Sequence, residues 1–203
     1  MRRSELVRAL ARVPPPPRPR PELEQVVSPP ECAADLLEAT TAEGGLAGRS
    51  VLDLGAGTGR LAIGAALLGA APVVGIEIDS ALAEIARRAA TEAGVVAEFR
   101  TADVREATEP AEFVVMNPPF GAQRAGADRP FWEAAFALAR RAVFAFSLAD
   151  SRTFIAQRAV ARGARVVASR PVRWELPRTF AHHSRRSVPI EVDLWTIRTG
   201  PEP

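Results

Sequence analysis

A chain of 203 residues with a formal net charge of +2 is long enough to bury one full hydrophobic core and suits a single globular unit. Hydrophobic residues make up 47% and charged residues 25%, which excludes a disordered or collagen-like chain. No apolar run reaches the ~20 residues of a membrane-spanning helix, the apolar start is broken by Arg8 and Arg12 and makes a poor signal peptide, and the lone Cys32 allows neither an internal disulfide nor a cysteine-cluster zinc site. The expectation is a cytoplasmic protein with no membrane contact and no metal.

The small net charge hides segregation. Residues 1–20 hold six Arg against one acid, residues 21–139 eight Arg against eighteen acids, and residues 140–186 eleven Arg against two acids. Basic segments flanking an acidic middle fit a polyanionic partner; solvated helix faces are the plainer reading, and charge alone does not separate them. Lys and Tyr are absent and Asn117 is the single asparagine, the mark of GC-rich coding rather than of a physical demand for Arg.

In chain order, residues 4–13 predict a short helix with Leu6, Val7 and Leu10 on one side. The prolines from Pro14 to Pro17 and the Arg-Pro alternation after them predict an extended, semi-rigid arm. Residues 1–30 thus read as helix and arm ahead of one domain spanning 31–203. A helix over 31–43 follows, with Ala33, Ala34, Leu36 and Leu37 apolar. Strands are predicted at 50–54, 72–78, 98–102, 113–116, 142–148, 165–168 and 188–198, and helices at 59–68, 80–93, 131–141 and 151–162. Strands separated by helices predict right-handed crossovers and a mostly parallel sheet. No helical pattern separates the last two strands, so they should pair as a hairpin with the final strand antiparallel.

The first strand runs into Asp53-Leu54-Gly55-Ala56-Gly57-Thr58-Gly59, a tight turn that lets backbone approach a ligand. The second ends at Glu77 and Ile78, placing a carboxylate where ribose hydroxyls are bound. A dinucleotide site would show G-x-G-x-x-G; here the spacing is G-x-G-x-G, preceded by Asp53. A carboxylate beside the loop disfavours pyrophosphate and suits a cationic ligand, which points to S-adenosylmethionine. Asp103, with Val104 alongside, follows the third strand and fits a contact to an adenine amine.

After the fourth strand comes Asn117-Pro118-Pro119-Phe120-Gly121. An aromatic amine is a poor nucleophile because its lone pair is delocalised into the ring. Two acceptors, the Asn117 amide oxygen and the Pro118 carbonyl, can bind its hydrogens and aim the lone pair at a methyl donor. Proline stiffens the turn, and Phe120 offers a face on which a flipped-out base stacks. The same residues also occur as a plain turn. Residues 121–130 read either as a loop that orders over a substrate or as an ordinary connection.

From about residue 22 to 198 the chain resembles the methyltransferase-like five family of ribosomal-RNA adenine N6-methyltransferases of archaea and eukaryotes. The resemblance rests on Leu23-Glu24-Gln25, the Asp53–Gly59 loop, Glu77, Asp103-Val104, Asn117–Gly121 and the stretch from Ser187-Val188 to Leu194. It implies a Rossmann-like seven-strand methyltransferase sheet with helices on both faces, S-adenosylmethionine as cofactor, and adenine of small-subunit ribosomal RNA as substrate. It also implies that Gln25 and Ser28 close over the cofactor, although Val26 and Val27 replace the family's aromatic-proline pair. His183, beside His182, matches a family histidine near the substrate entrance, within a basic stretch holding Arg185 and Arg186. A small zinc-binding activator protein is the implied partner. Other functions stay open: a protein-glutamine methyltransferase, because an amide is also a flat, weak nucleophile; a guanine-amine or DNA-adenine methyltransferase, because the motif recognises the amine rather than the polymer; and a non-catalytic RNA-binding assembly subunit.

Overall fold

A computed structural model describes residues 1–121, 123–174 and 191–200. Helices α1 (Arg3–Arg12) and α2 (Pro30–Ala42) precede β1 (Val51–Leu54), α3 (Arg60–Leu67), β2 (Val73–Glu77), α4 (Ser80–Glu92), β3 (Glu98–Thr101), β4 (Ala111–Met116), α5 (Arg129–Leu138), β5 (Ala139–Leu148), α6 (Arg152–Ala161), β6 (Arg165–Val172) and β7 (Val192–Arg198). The strands form one seven-stranded sheet in the order β3-β2-β1-β4-β5-β7-β6. The first five are parallel, and β7 runs antiparallel to both β5 and β6. The mostly parallel sheet and the antiparallel final strand are those expected from the element pattern.

Side-chain alternation along the strands builds two cores, one on each face. Val51, Phe113, Val115, Phe144 and Phe146 point toward α1, α2, α3 and α4. Leu52, Leu54, Val114, Met116, Val143 and Ala145 point toward α5 and α6. The first core also takes in Leu6, Leu10 and Val13, so α1 lies against α2 and α3. The Arg60 guanidinium pins this end of the chain, donating to the carbonyls of Val13 at 2.7 Å and Ser28 at 2.6 Å. Pro16 is buried beside it. Among the described residues no helix is long and apolar enough to cross a membrane.

Several boundaries differ from the sequence expectation. α5 starts at Arg129 and stops at Leu138, and β5 begins at Ala139 rather than 142. Ala-Arg-Arg is good helix sequence, but Ala139 pairs with Ala111 across a bulge, and strand pairing overrides local propensity. β6 runs on to Val172 because β7 pairs with it throughout, and Pro171 is tolerated because β6 is an edge strand. The expected start of the last strand at 188 lies outside the described residues.

Candidate active site

The strand order reverses between β1 and β4, and in open α/β sheets the crevice beyond the carboxyl ends at such a point is the binding place. Leu54 pairs with Met116, so the glycine loop and the Asn117 turn leave the sheet side by side. Between them lies a cavity of about 290 Å³. Asp53, Gly55, Ala56 and Gly57 line it from β1, Glu77 and Ile78 from β2, Asp103 and Val104 from β3, and Asn117 and Pro119 from β4. Gln25 and Ser28 close it from the segment before α2.

Asp53 is 1% exposed. One carboxylate oxygen accepts the Ala62 N–H at 3.0 Å, and the other is buried with no partner. Burial pushes its pKa up to about 7, opposed by the Ala62 N–H and reinforced by Glu77. Glu77 is also raised by burial, although its oxygens accept the N–H groups of Gly57 at 2.7 Å and Asp79 at 2.9 Å. Gly57 makes that bond at φ +56°, where a side chain would be strained. At Gly55, a β-carbon would stand 2.8 Å from the Phe131 ring.

Ile78 is 51% exposed, a large apolar side chain turned to the cavity mouth. Asp103 is held by its neighbour: the Arg105 guanidinium donates to it at 2.9 and 2.6 Å, and its pKa falls to about 2, chiefly through that bond.

On the acceptor side, the Asn117 amide nitrogen donates to the Val26 carbonyl at 2.8 Å. That fixes which end of the amide faces which way. The Asn117 oxygen is left buried and unpartnered. Phe120 meets Trp174 edge to face, with centroids 5.7 Å apart, and Trp174 meets Phe146 at 5.0 Å. Pro118, Pro119 and Phe120 border a second, shallow depression together with Ser147 and Ser151.

Several site residues were not read from the sequence. Glu24 accepts the N–H groups of Phe120 at 2.8 Å and Gln123 at 2.9 Å. Asp79 accepts the Gln25 amide at 3.0 Å and caps α4 through Ala81. Arg60, Arg124 and Phe131 also line the cavity. Glu24 left a trace in the Leu23-Glu24-Gln25 match and Asp79 as the end of the Glu77-Ile78-Asp79 run, where it caps α4; Arg60, Arg124 and Phe131 have no signature spacing. His182, His183, Arg185 and Arg186 lie outside the described residues.

A glycine loop and a carboxylate strand end facing an Asn-Pro-Pro-Phe turn define a class of group-transfer enzyme, and residues 31–144 match the methyltransferase small domain. The chain belongs to that family and, within it, to the methyltransferase-like five group. It is 33% identical to the rRNA N(6)-adenosine-methyltransferase Mettl5 of Drosophila melanogaster, covering 91% of each chain. It is 30% identical to the rRNA N(6)-adenosine-methyltransferase metl-5 of Caenorhabditis elegans, covering 87% of this chain and 88% of that one. The crystal structure of PH1948 from Pyrococcus horikoshii superposes with a TM-score of 0.90 at 33% identity, over 99% of both chains.

Proposed function

We propose that this protein transfers the methyl group of S-adenosylmethionine to the exocyclic amine of adenine in ribosomal RNA. The observation that carries the proposal is the Asn117 oxygen, buried and unpartnered at the edge of the cavity, its orientation set by the bond from the amide nitrogen to Val26. An unsatisfied buried acceptor costs free energy and is relieved by a donor such as an amine hydrogen. The relatives named above carry rRNA adenosine N6-methylation in their names.

The cavity fits the cofactor. The unpartnered oxygen of Asp53 suits a cationic amino group, and Glu77 suits the ribose hydroxyls. Ile78 and Val104 offer apolar faces to an adenine ring, Asp103 a partner for its amine, and Gln25 and Ser28 a cover. When bound, S-adenosylmethionine supplies a methyl group on a positively charged sulfur, a strong leaving group. The chain's own work is orientation and charge. Asn117 and the Pro118 carbonyl accept hydrogen bonds from the two amine hydrogens, pull the nitrogen toward tetrahedral geometry and stabilise the positive charge it develops; after transfer the methylated nitrogen releases one of its protons to water. Phe120, braced by Trp174, stacks the base. The family resemblance assigns His183 to the substrate, and Arg185 and Arg186 supply positive charge for an RNA backbone. A small zinc-binding activator as partner and a cytoplasmic place belong to the same reading, the latter supported by the single cysteine.

The test is methylation of total RNA, DNA and protein by the purified enzyme, with the product read by nucleoside and peptide mass spectrometry. N6-methyladenosine in ribosomal RNA is expected. Label confined to glutamine in protein would overturn the proposal.

A further inference from the structure

We infer that Glu24 is a positioning residue for methyl transfer, fixing the acceptor turn so that Asn117 presents its oxygen and not its nitrogen. The inference rests on the function proposed above. Glu24 spans 96 residues of sequence to reach Phe120. Pro118 and Pro119 carry no N–H, so Phe120 brings the first backbone donor after Asn117, and Glu24 takes it at 2.8 Å. Its second oxygen takes the Gln123 N–H at 2.9 Å, so one carboxylate staples both sides of Gly121.

Glu24 itself has φ +47°, the left-handed region that a β-carbon disfavours. Such a conformation persists where surrounding contacts over-determine it, and it clusters at functional sites. It lets the chain double back: the Val26 N–H donates to the Glu24 carbonyl at 2.6 Å. The Val26 carbonyl then accepts the Asn117 amide nitrogen at 2.8 Å. Glu24, Val26, Asn117 and Phe120 thus close a ring of hydrogen bonds. The ring has a chemical consequence. An unanchored asparagine amide can rotate half a turn and offer N–H to the incoming amine, donor against donor. With its nitrogen held by Val26, Asn117 is committed as an acceptor.

The test uses Glu24→Gln and Glu24→Ala in the full chain. Asn117 is the single asparagine, so protein labelled with 15N-asparagine gives one side-chain amide pair in its NMR spectrum. That pair should shift in both variants. Single-turnover methylation of purified small-subunit ribosomal RNA at saturating cofactor should fall ~10- to 100-fold, the scale of a lost bond to a charged group. Cofactor affinity should fall by clearly less than the rate, since Glu24 borders the cavity beside Gln25 while this ring makes no bond to Asp53 or Glu77. An unmoved Asn117 pair, an undiminished single-turnover rate, or a rate loss matched by an equal loss of cofactor affinity would each overturn the inference. Wild-type protein that methylates no RNA would instead overturn the proposed function, and the amide spectrum would still decide whether Glu24 orients Asn117.

Discussion

The Gly57 N–H donates to the Glu77 carboxylate at 2.7 Å, so the loop after β1 and the end of β2 share one buried acid. The other Glu77 oxygen holds the Asp79 N–H at 2.9 Å. Glu77→Ala removes both acceptors and the carboxylate offered to the ribose. Cofactor affinity is expected to fall roughly ten- to a hundredfold, as for loss of hydrogen bonds to a charged group. Asp53→Ala should do the same through the cationic end. Calorimetry of cofactor binding checks both, and unchanged affinity in the pair would mean that the loop holds something else.

With Asp53 as the proposed partner of the cofactor's cationic end, cofactor binding is expected to depend on pH. Its pKa in the free protein is raised from 3.8 to about 7, mainly by burial. Between those values the folded state keeps a proton that the unfolded state has lost. Stability contributed by this group is therefore greatest at the acid end of the window and declines as pH rises toward 7. A cationic ligand prefers the ionised form, so its affinity should climb as pH rises to about 7 and then level off, by at most about tenfold per unit. Glu77, also raised, acts in the same direction. Asp53→Asn should flatten the curve. Titrations in buffers of different ionisation heat would register the released proton, and a profile that does not change with pH would refute the assignment.

Asn117→Ala should separate binding from chemistry. The cofactor cavity loses little, while the amine loses an acceptor, so turnover is expected to drop ~100-fold or more with cofactor affinity nearly intact. Single-turnover rates beside calorimetry decide it. Near-normal turnover would remove Asn117 from the reaction.

Arg152 and Asp193 test the frame rather than the site. Asp193 has a side chain only 1% exposed and receives the half-exposed Arg152 guanidinium, with Ser169 Oγ donating at 3.3 Å. Arg152→Ala takes the guanidinium away from a buried carboxylate and should lower stability, by less than for a fully buried pair because Arg152 keeps water. Removing both partners should cost less than the two single changes summed. Denaturant unfolding of the three variants gives the answer, and strict additivity would show that the pair does not couple.

The arginines of residues 140–186 bear on the substrate. If they hold a polyanion, RNA affinity falls with salt at a log–log slope of about −0.7 to −0.9 per phosphate contact. Affinity for the phosphate-free cofactor should barely respond. Replacing Arg185 and Arg186 by Ala should make the slope shallower by about one to two contacts. A flat response in the unaltered protein would take nucleic acid off the substrate list.

Much of this was legible in the sequence because it is local. Short apolar runs wrote the inner strands, and Gly55 and Asn117 each follow a strand directly, so the loops beyond β1 and β4 could be placed on one rim. The boundary between α5 and β5 was not legible, since Ala139 is decided by pairing with Ala111. Nor were the bonds that fix the site's closure, although the family resemblance pointed to Gln25 and Ser28. Glu24, Val26 and Arg60 act across dozens of residues through bonds that no spacing encodes, two of them through backbone carbonyls, which are alike in every residue type.

The place of β7 between β5 and β6 sets a timetable for synthesis. Among the described residues β6 has no sheet neighbour except β7, the later of the two in the chain. A nascent chain emerging in order can assemble β1 to β5, and with them both loops of the cavity, while the ladder groups of β6 still wait for residues 192–198. Until those residues leave the ribosome, the β5 edge stays open to any extended peptide that comes near. The loops proposed to carry the reaction thus belong to the part of the molecule born first, and β7 seals a sheet whose cavity loops are already in place.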